Sequence, residues 1–302
     1  MIVTALASLL MVSGQQADDR TQPSDLDTVV VNAERRTAEA RATAFVKEVS
    51  SAPRGTILAR WNSDVCVGVA NLASPYAQLV ADRVSELALQ LGLEIGAPGC
   101  RANIMIIFAD DATDVARKLV ADDKPGFLPA NSRVTLGSVA LEEFKNSERP
   151  IRWWHVSMPV EVDTGRPPAM TTFATPDGDV LEVPVANVPQ MSRIHSGVRN
   201  DLQRAIIVVD VTKLMGANLA SVADYVAMVA MAQINPDVDV AGQSSILALF
   251  SHDRTSDSLT SWDMIYLRSL YGATRDRAIA RQQTGEISRA MAREQLEQEA
   301  LP

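Results

Sequence analysis

The chain lacks the short motifs that identify most hydrolases and nucleotide-binding proteins. No G-x-S-x-G, Ser-x-x-Lys, G-x-G-x-x-G or P-loop pattern occurs in its 302 residues. A nucleophile elbow and a glycine-rich phosphate cradle are therefore excluded. Histidine is also scarce, with His155, His195 and His252 far apart in sequence. Zinc sites usually take two ligands from one local element, so this spacing predicts no metal site, and a hydrolase built from dispersed residues stays an alternative.

Basic charge and aromatic residues are both in short supply. The 28 Lys and Arg residues are outnumbered by 37 Asp and Glu residues, which gives a net charge of −9. Such a chain has no overall basic field to attract the phosphates of a nucleic acid. Aromatic residues make up only 5% of the sequence and offer few surfaces for base stacking. We therefore expect no nucleic-acid partner.

Long hydrophobic runs are missing as well. The most apolar stretch near the N-terminus, Ile2 to Val12, has eleven residues, about half of what a membrane-spanning helix needs. Its length and the small residues after it are typical of a signal peptide, although no Lys or Arg precedes it. We predict a signal peptide over residues 1–17, a periplasmic or secreted protein, and no membrane span after signal removal. The alternative is a buried N-terminal helix.

Cysteine occurs only twice, at Cys66 and Cys100. An even pair in an exported protein is most simply a disulfide, and two free buried thiols are the alternative. A bridge between them would close a loop of about 35 residues and stabilise the fold by about 3 kcal/mol.

The remaining pattern predicts one α+β domain over residues 41–302, after a flexible segment over residues 18–40 that contains a β-like run, Thr28 to Val31. Apolar residues at three- and four-residue spacing predict a helix from Pro75 to Leu93. Continuous apolar runs at Ala102 to Ala109 and Arg204 to Val211 predict strands covered on both faces. Cys66 and Cys100 flank the helix, so a strand–helix–strand order would bring their sulfurs together.

Further elements complete this expectation. The predicted strands are Thr56 to Trp61, Cys66 to Ala70, Ile151 to Val162 and Leu181 to Val185. The predicted helices are Arg41 to Val49, Asp114 to Ala121, Leu136 to Phe144, Asn218 to Gln233 and Thr284 to Glu299. Thr175-Pro176-Asp177-Gly178 predicts a turn. The fold class is α+β, with a mixed sheet of about four to six strands and packed helices.

Two groups of residues are weak candidates for a binding site. Asp110 and Asp111 directly follow a predicted buried strand, where a polar loop often carries a binding group. Acidic residues are also favoured at the start of a helix, which is the simpler interpretation. Trp153, Trp154 and His155 lie together on one predicted strand and can line a cleft.

The C-terminal third resembles a known family. Asn218 to Gln233 is an apolar helix, Asn235-Pro236-Asp237 breaks it, Ser245-Ile246-Leu247 follows, and Leu259-Thr260-Ser261-Trp262-Asp263 opens a helix that runs to Tyr271. This order, over about 55 residues, is similar to the core of secreted, metzincin-like zinc peptidases. The resemblance implies a peptidase-like scaffold with a metalloprotease-like helix after the last core strand.

The zinc motif of that family is missing. Family members have H-E-x-x-H on the helix, where His at i and i+4 bind zinc and Glu acts as a base. Carried over by position, the two His places fall on Tyr225 and Val229, the Glu place on Val226, and the third ligand near Asn235. The aliphatic side chains have no lone pair for a metal. The resemblance therefore implies the fold without the activity, no catalytic residue and no cofactor.

A shorter resemblance lies near the start of the chain. Asp27 to Arg36 is similar to the segment that opens many TonB-dependent outer-membrane receptors and pairs with TonB by adding a strand. It implies TonB as a partner through residues 27–33. The preferred expectation is an exported, non-catalytic binding or accessory protein with a protein or peptide ligand. A secreted hydrolase with dispersed residues and a TonB-linked envelope component are the alternatives.

Overall fold

A computed structural model describes residues 25–130, 133–174, 178, 180–186, 193–240 and 242–300, with the backbone alone for 25–32, 173 and 181–183. The predicted signal peptide, residues 1–17, lies outside the described residues. The first helices are α1 (Asp25–Val49), α2 (Ser74–Gln90), α3 (Ala112–Asp122), α4 (Lys124–Phe127) and α5 (Ser138–Asn146). After them come α6 (Leu219–Met231), α7 (Ser261–Gly272) and α8 (Ala280–Glu299). The strands are β1 (Val67–Ala70), β2 (Ile104–Ala109), β3 (Ile151–Glu161), β4 (Ala169–Ala174), β5 (Val180–Val185) and β6 (Val198–Asp210).

The main sheet is mixed and has the order β1-β2-β6-β3 in the described part of the chain. β1, β2 and β6 run parallel, and β3 pairs antiparallel with β6 at one edge. A separate hairpin joins β4 to β5, and residues 175–177 of its predicted turn lie outside the described residues. Helix α6 follows β6 after a short 3₁₀ turn, Val211–Lys213. The α+β prediction with a mixed sheet is confirmed.

Successive side chains of the central strands face opposite sides of the sheet, so the core has two layers. Ile207 and Val209 of β6 face a layer that contains residues of α1, α2, α6, α7 and α8. Ile206 and Val208 face the opposite layer, which contains residues of α3, α4 and α5. Successive side chains of a strand point to opposite faces, so a continuous apolar run is the expected sequence for a strand covered on both sides.

The disulfide between Cys66 and Cys100 is present, with Cα atoms 6.1 Å apart. It joins the start of β1 to the segment before β2, and α2 connects these two parallel strands. The predicted strand–helix–strand unit and its cysteine pairing are both confirmed. No helix among the described residues is long and apolar enough to cross a bilayer.

Helix α6 is buried from Ser221 to Met231. The last carbonyl groups of a helix have no partner within the helix, and in a buried helix side chains must supply one. Three side chains from distant parts of the chain do so. His155 Nε2 lies 2.8 Å from the Val229 carbonyl oxygen. Trp61 Nε1 donates to Ala230 at 2.8 Å, and the Tyr271 hydroxyl donates to Met231 at 2.9 Å.

The predicted strand at Thr56 to Trp61 is wrong. Residues 57–61 are buried, but the contact of this segment with the sheet is an isolated bridge between Arg60 and Asp201. Side chains satisfy the backbone instead: Leu58 N–H donates to Gln283 Oε1 at 2.7 Å, and Ala59 N–H donates to Gln233 Oε1 at 2.8 Å. Glutamine side chains thus supply the hydrogen bonds that a neighbouring strand would give. An apolar sequence suits a buried strand and a buried extended segment equally, so it did not distinguish between them.

The expectation for the N-terminal segment also needs correction. Thr28 to Val31, predicted as β-like, belongs to helix α1, and Ala38 is already buried in the core. The predicted boundary at residue 40 therefore falls inside a helix. Residues 33–44 are rich in Ala, Glu and Arg, and these strong helix formers extend the helix through the valine run. Residues 27–33 would have to unwind before pairing with TonB as a strand.

Asp263 connects α7 to the Ser245–Leu249 segment from a fully buried position. Its carboxylate accepts hydrogen bonds from the Ser245 hydroxyl at 2.5 Å, Ile246 N–H at 2.9 Å and Thr260 N–H at 3.0 Å. Thr260 completes a capping box at the start of α7. Burial raises the pKa of Asp263, and these three hydrogen bonds, with a fourth from the Thr260 hydroxyl at 2.9 Å, oppose that rise.

We predict that Asp263→Ala lowers the free energy of unfolding by about 3 kcal/mol, because it leaves buried donors unsatisfied and removes the helix cap. Urea denaturation followed by circular dichroism measures the change. Asp257→Ala is the matched control, since Asp257 is an exposed carboxylate of the neighbouring loop, and its change is expected within about 0.5 kcal/mol. Equal losses in both variants would show that the Asp263 network contributes nothing specific.

Candidate functional site

The positions that correspond to the zinc ligands of the resembled family are filled by packed side chains. Tyr225 lies between two aromatic rings, with centroid distances of 6.0 Å to Trp153 and 5.4 Å to Phe250. Val226 and Val229 are fully buried in the same core. Both ring contacts are edge-on, a geometry that stabilises aromatic pairs. This face of α6 is therefore a packed part of the core.

Asn235 lies in the turn after α6. Its N–H donates to the Val49 carbonyl at 2.7 Å, and its Nδ2 donates to the Glu48 carbonyl at 3.3 Å. Its side-chain oxygen accepts from Asp237 N–H at 3.1 Å. The residue at the predicted third-ligand position thus joins this turn to the end of α1.

His155 is a half-buried residue on the face of β3 that carries Trp153. A carbonyl oxygen can only accept, so the neutral ring donates Nε2–H to Val229. Burial lowers the pKa of His155 to about 4, against the opposing effect of this hydrogen bond. The imidazole stays neutral in the folded protein at neutral pH, and its role is to cap α6.

The other two histidines lie elsewhere. His195 Nδ1 is 2.9 Å from Asp276, in a loop that forms an isolated bridge to Arg277. His252 is exposed in the segment after the 3₁₀ turn Ile246–Ala248. Across the residues that the structure describes, no group of three or more His, Cys, Asp or Glu side chains is placed to hold a metal ion.

The predicted cleft-lining tryptophans are both buried, on opposite faces of the sheet. Trp153 Nε1 donates to the Ile234 carbonyl at 3.0 Å, and Trp154 Nε1 donates to the Phe127 carbonyl at 2.8 Å. Their side chains belong to different core layers. Asp110 and Asp111 are exposed, and Asp111 caps α3 by accepting from Asp114 N–H at 2.9 Å. The helix-start interpretation of Asp111 is the one the geometry supports.

The outer edge of β3 carries backbone groups that point away from the sheet. Asp210 N–H bonds to the Pro150 carbonyl at 2.8 Å, which makes residues 150 and 210 a hydrogen-bonded pair. In an antiparallel ladder such pairs alternate, so Ile151, Trp153 and His155 direct their N–H and C=O groups to the free edge. Among the described residues, no hydrogen bond reaches these backbone groups.

This edge lies at the bottom of a narrow opening that we call the β3 slot. Its walls come from α5 on one side and from the turn after α6 on the other. It is lined by Leu136, Ala140, Glu143, Phe144, Ser147, Arg149, Ile151, Arg152, Trp153, Trp154 and Pro236. The inner cavity measures about 20 Å³, and an outer cleft of about 860 Å³ shares Glu143, Ser147 and Arg149 with it. The cleft and the slot thus lead from solvent towards the strand edge, where Ile151 and Trp153 are 1% and 4% exposed.

Arg152 is the most unusual residue of the β3 slot. It is 3% exposed, and its Nη1 donates long bonds to the Thr113 hydroxyl at 3.3 Å and to the Phe144 and Lys145 carbonyls at 3.4 Å. Its Nε and Nη2 atoms have no hydrogen-bond partner within the described chain. Burial lowers the pKa of Arg152, while Asp210, Glu148 and Asp111 oppose that change. Buried, unpaired donors of this kind are rare in proteins.

Sequence reasoning missed this site. Arg152 is a charged residue inside an otherwise apolar strand, and that contrast was the available signal. The comparisons with known proteins add nothing to it: no family model, curated protein or solved structure matches the chain.

We predict that His155 makes the fold sensitive to mild acid. The unfolded chain binds a proton on His155 near its ordinary pKa of 6.5, and the folded chain does so only near 4. Stability is therefore present above pH 6.5 and is lost as the pH falls towards 4. The expected contribution is about 2 kcal/mol, less than the full shift implies because the ring is partly exposed.

His155→Gln keeps an N–H donor and removes the titration. Urea denaturation at neutral pH and at a pH of about 4 measures how much unfolding free energy each protein loses in acid. The variant should lose about 2 kcal/mol less than the wild type. His252→Gln, at the exposed histidine, should leave the pH dependence unchanged. The same pH dependence in all three proteins would contradict the assignment of the buried, neutral form to His155.

Proposed function

We propose that the protein is an exported, non-catalytic binding or accessory protein on a peptidase-like scaffold that lacks a zinc site. The scaffold assignment rests on the resemblance of residues 218–272 to metzincin-like peptidases. The resemblance implies a helix after the last core strand, and α6 follows β6 along the chain.

The observation that carries the proposal is the packing of Tyr225. Its ring fills the space between Trp153 and Phe250, at the place where a zinc peptidase would carry its first histidine. Val226 and Val229 bring no lone pair and no exchangeable proton to the other two places on this helix. His155 is engaged with the Val229 carbonyl, and its low pKa reflects the same burial. This arrangement supports a stable core in place of a reaction centre.

A protein or peptide ligand suits the β3 slot. Main-chain recognition by strand addition needs an accessible sheet edge with unpaired N–H and C=O groups. Ile151, Trp153 and His155 have such groups at one edge of the main sheet. Ile151 and Trp153 are 1% and 4% exposed, so the wall of the slot must move before a ligand reaches this edge. We propose that an extended segment of the ligand pairs with this edge.

Export to the periplasm or the extracellular medium is part of the proposal. A disulfide between Cys66 and Cys100 supports it, because structural disulfides persist in oxidising compartments. The apolar run from Ile2 to Val12 adds support as a signal-peptide sequence.

We predict that the purified protein, dialysed against zinc and then against metal-free buffer, retains far less than one zinc per chain. It should also leave an unfolded protein substrate such as casein intact. Elemental analysis and gel electrophoresis give the two readings, with an active zinc peptidase treated in parallel as the control. Stoichiometric zinc together with cleavage would contradict the proposed function.

A further inference from the structure

The outer cleft of the β3 slot is acidic. Glu142, Glu143, Glu148 and Asp237 line it, and Arg149 is the basic residue beside them. Lys145 pairs with Glu142 at 2.7 Å, and Lys213 pairs with Glu148 at 2.5 Å. Acidic residues alone define no site, so the neighbouring groups decide what this cleft can bind.

Glu143 differs from the other carboxylates of the cleft. It is exposed, lines both the inner cavity and the outer cleft, and makes no ion pair or hydrogen bond within the described chain. A cation in the slot would therefore meet a carboxylate that no other residue has already neutralised.

The Arg149–Asp237 ion pair spans the mouth of the slot. It joins the loop before β3 to the turn after α6, and both side chains are more than one-third exposed. Exposed ion pairs contribute little to stability, so the pair is easily exchanged. A cation from a ligand can replace Arg149 at Asp237 and widen the entrance at little cost.

Arg152 gives an independent indication that the slot receives polar ligand atoms. Its unpaired Nε and Nη2 donors belong to a side chain that is 3% exposed and lines the inner cavity. A cavity of about 20 Å³ holds about one oxygen-sized group. A peptide that pairs with β3 brings carbonyl oxygens along the same edge, and a carbonyl is the acceptor these donors need.

We propose that the β3 slot binds a basic, extended segment of a partner protein. A Lys or Arg side chain of that segment pairs with Glu143, and a main-chain carbonyl accepts from Arg152. The inference rests on the binding function proposed above and adds the chemical class of the ligand. The unpaired carboxylate of Glu143 disfavours an acidic segment by like-charge repulsion.

The test uses two capped, fluorescent octapeptides, one alternating Lys and Val and the other alternating Glu and Val. Fluorescence anisotropy with the full, disulfide-bonded protein should show binding of the Lys peptide, weakened by added salt, and at least about tenfold weaker binding of the Glu peptide. Glu143→Lys should weaken binding of the Lys peptide by at least about fivefold. Glu94→Lys makes the same charge change at an exposed residue after α2 and should have little effect.

Arg152→Lys is a second variant, which keeps the charge and loses the Nε–Nη2 fork. This variant should bind the Lys peptide about tenfold more weakly than the wild type does. Equal binding of the two peptides, equal effects of Glu143→Lys and Glu94→Lys, or no binding by a zinc-free, folded protein would each overturn the inference. An absence of peptide binding by the folded, zinc-free protein contradicts only this inference and remains compatible with the proposed function. Bound zinc together with substrate cleavage would contradict the proposed function itself.

Discussion

The whole structure depends on keeping one helix buried with its carbonyl groups satisfied. Helix α6 lies inside the core, and its last turn receives hydrogen bonds from His155, Trp61 and Tyr271. An unpaired buried carbonyl costs about 1–3 kcal/mol, so these three contacts fix the relative positions of β3, the segment before β1, and α7. The single charged residue of α6, Asp224, pairs with Arg83 and accepts a hydrogen bond from Leu259 N–H at 2.9 Å.

The same constraint supports the proposal that this helix carries no zinc centre. A catalytic zinc site needs an open position for water or substrate. Around α6 that space is occupied by the rings of Trp153, Tyr225 and Phe250, and the histidine nearest to it serves as a helix cap. The outer edge of β3 carries backbone groups without a partner in the described part of the chain, and the Nε and Nη2 atoms of Arg152 nearby also lack one. We therefore place the proposed ligand at the edge of the sheet.

Several parts of the fold followed from the sequence because their causes are local. The spacing of apolar residues along α2, the continuous apolar runs of β2 and β6, and the single cysteine pair each predicted what the structure contains. The capping box of α7 also lies within four consecutive residues, Thr260 to Asp263.

The errors had two causes: contacts between distant residues, and the influence of flanking residues on a short segment. The Thr56 to Trp61 segment is paired by Gln233 and Gln283, which lie far along the chain. Thr28 to Val31 is helical because the residues after it favour a helix strongly. The β3 slot needs α5, β3 and the turn after α6 together, and no sequence pattern places those three side by side.

The most direct measurement is residue-specific amide hydrogen exchange of β3, with and without the alternating Lys and Val peptide at saturation. Strand addition predicts slower exchange at Ile151, Trp153 and His155, whose N–H groups point to the free edge, and little change at Arg152 and Trp154, which already bond to β6. Unchanged exchange at the first three amides while others elsewhere slow down would contradict binding at this edge.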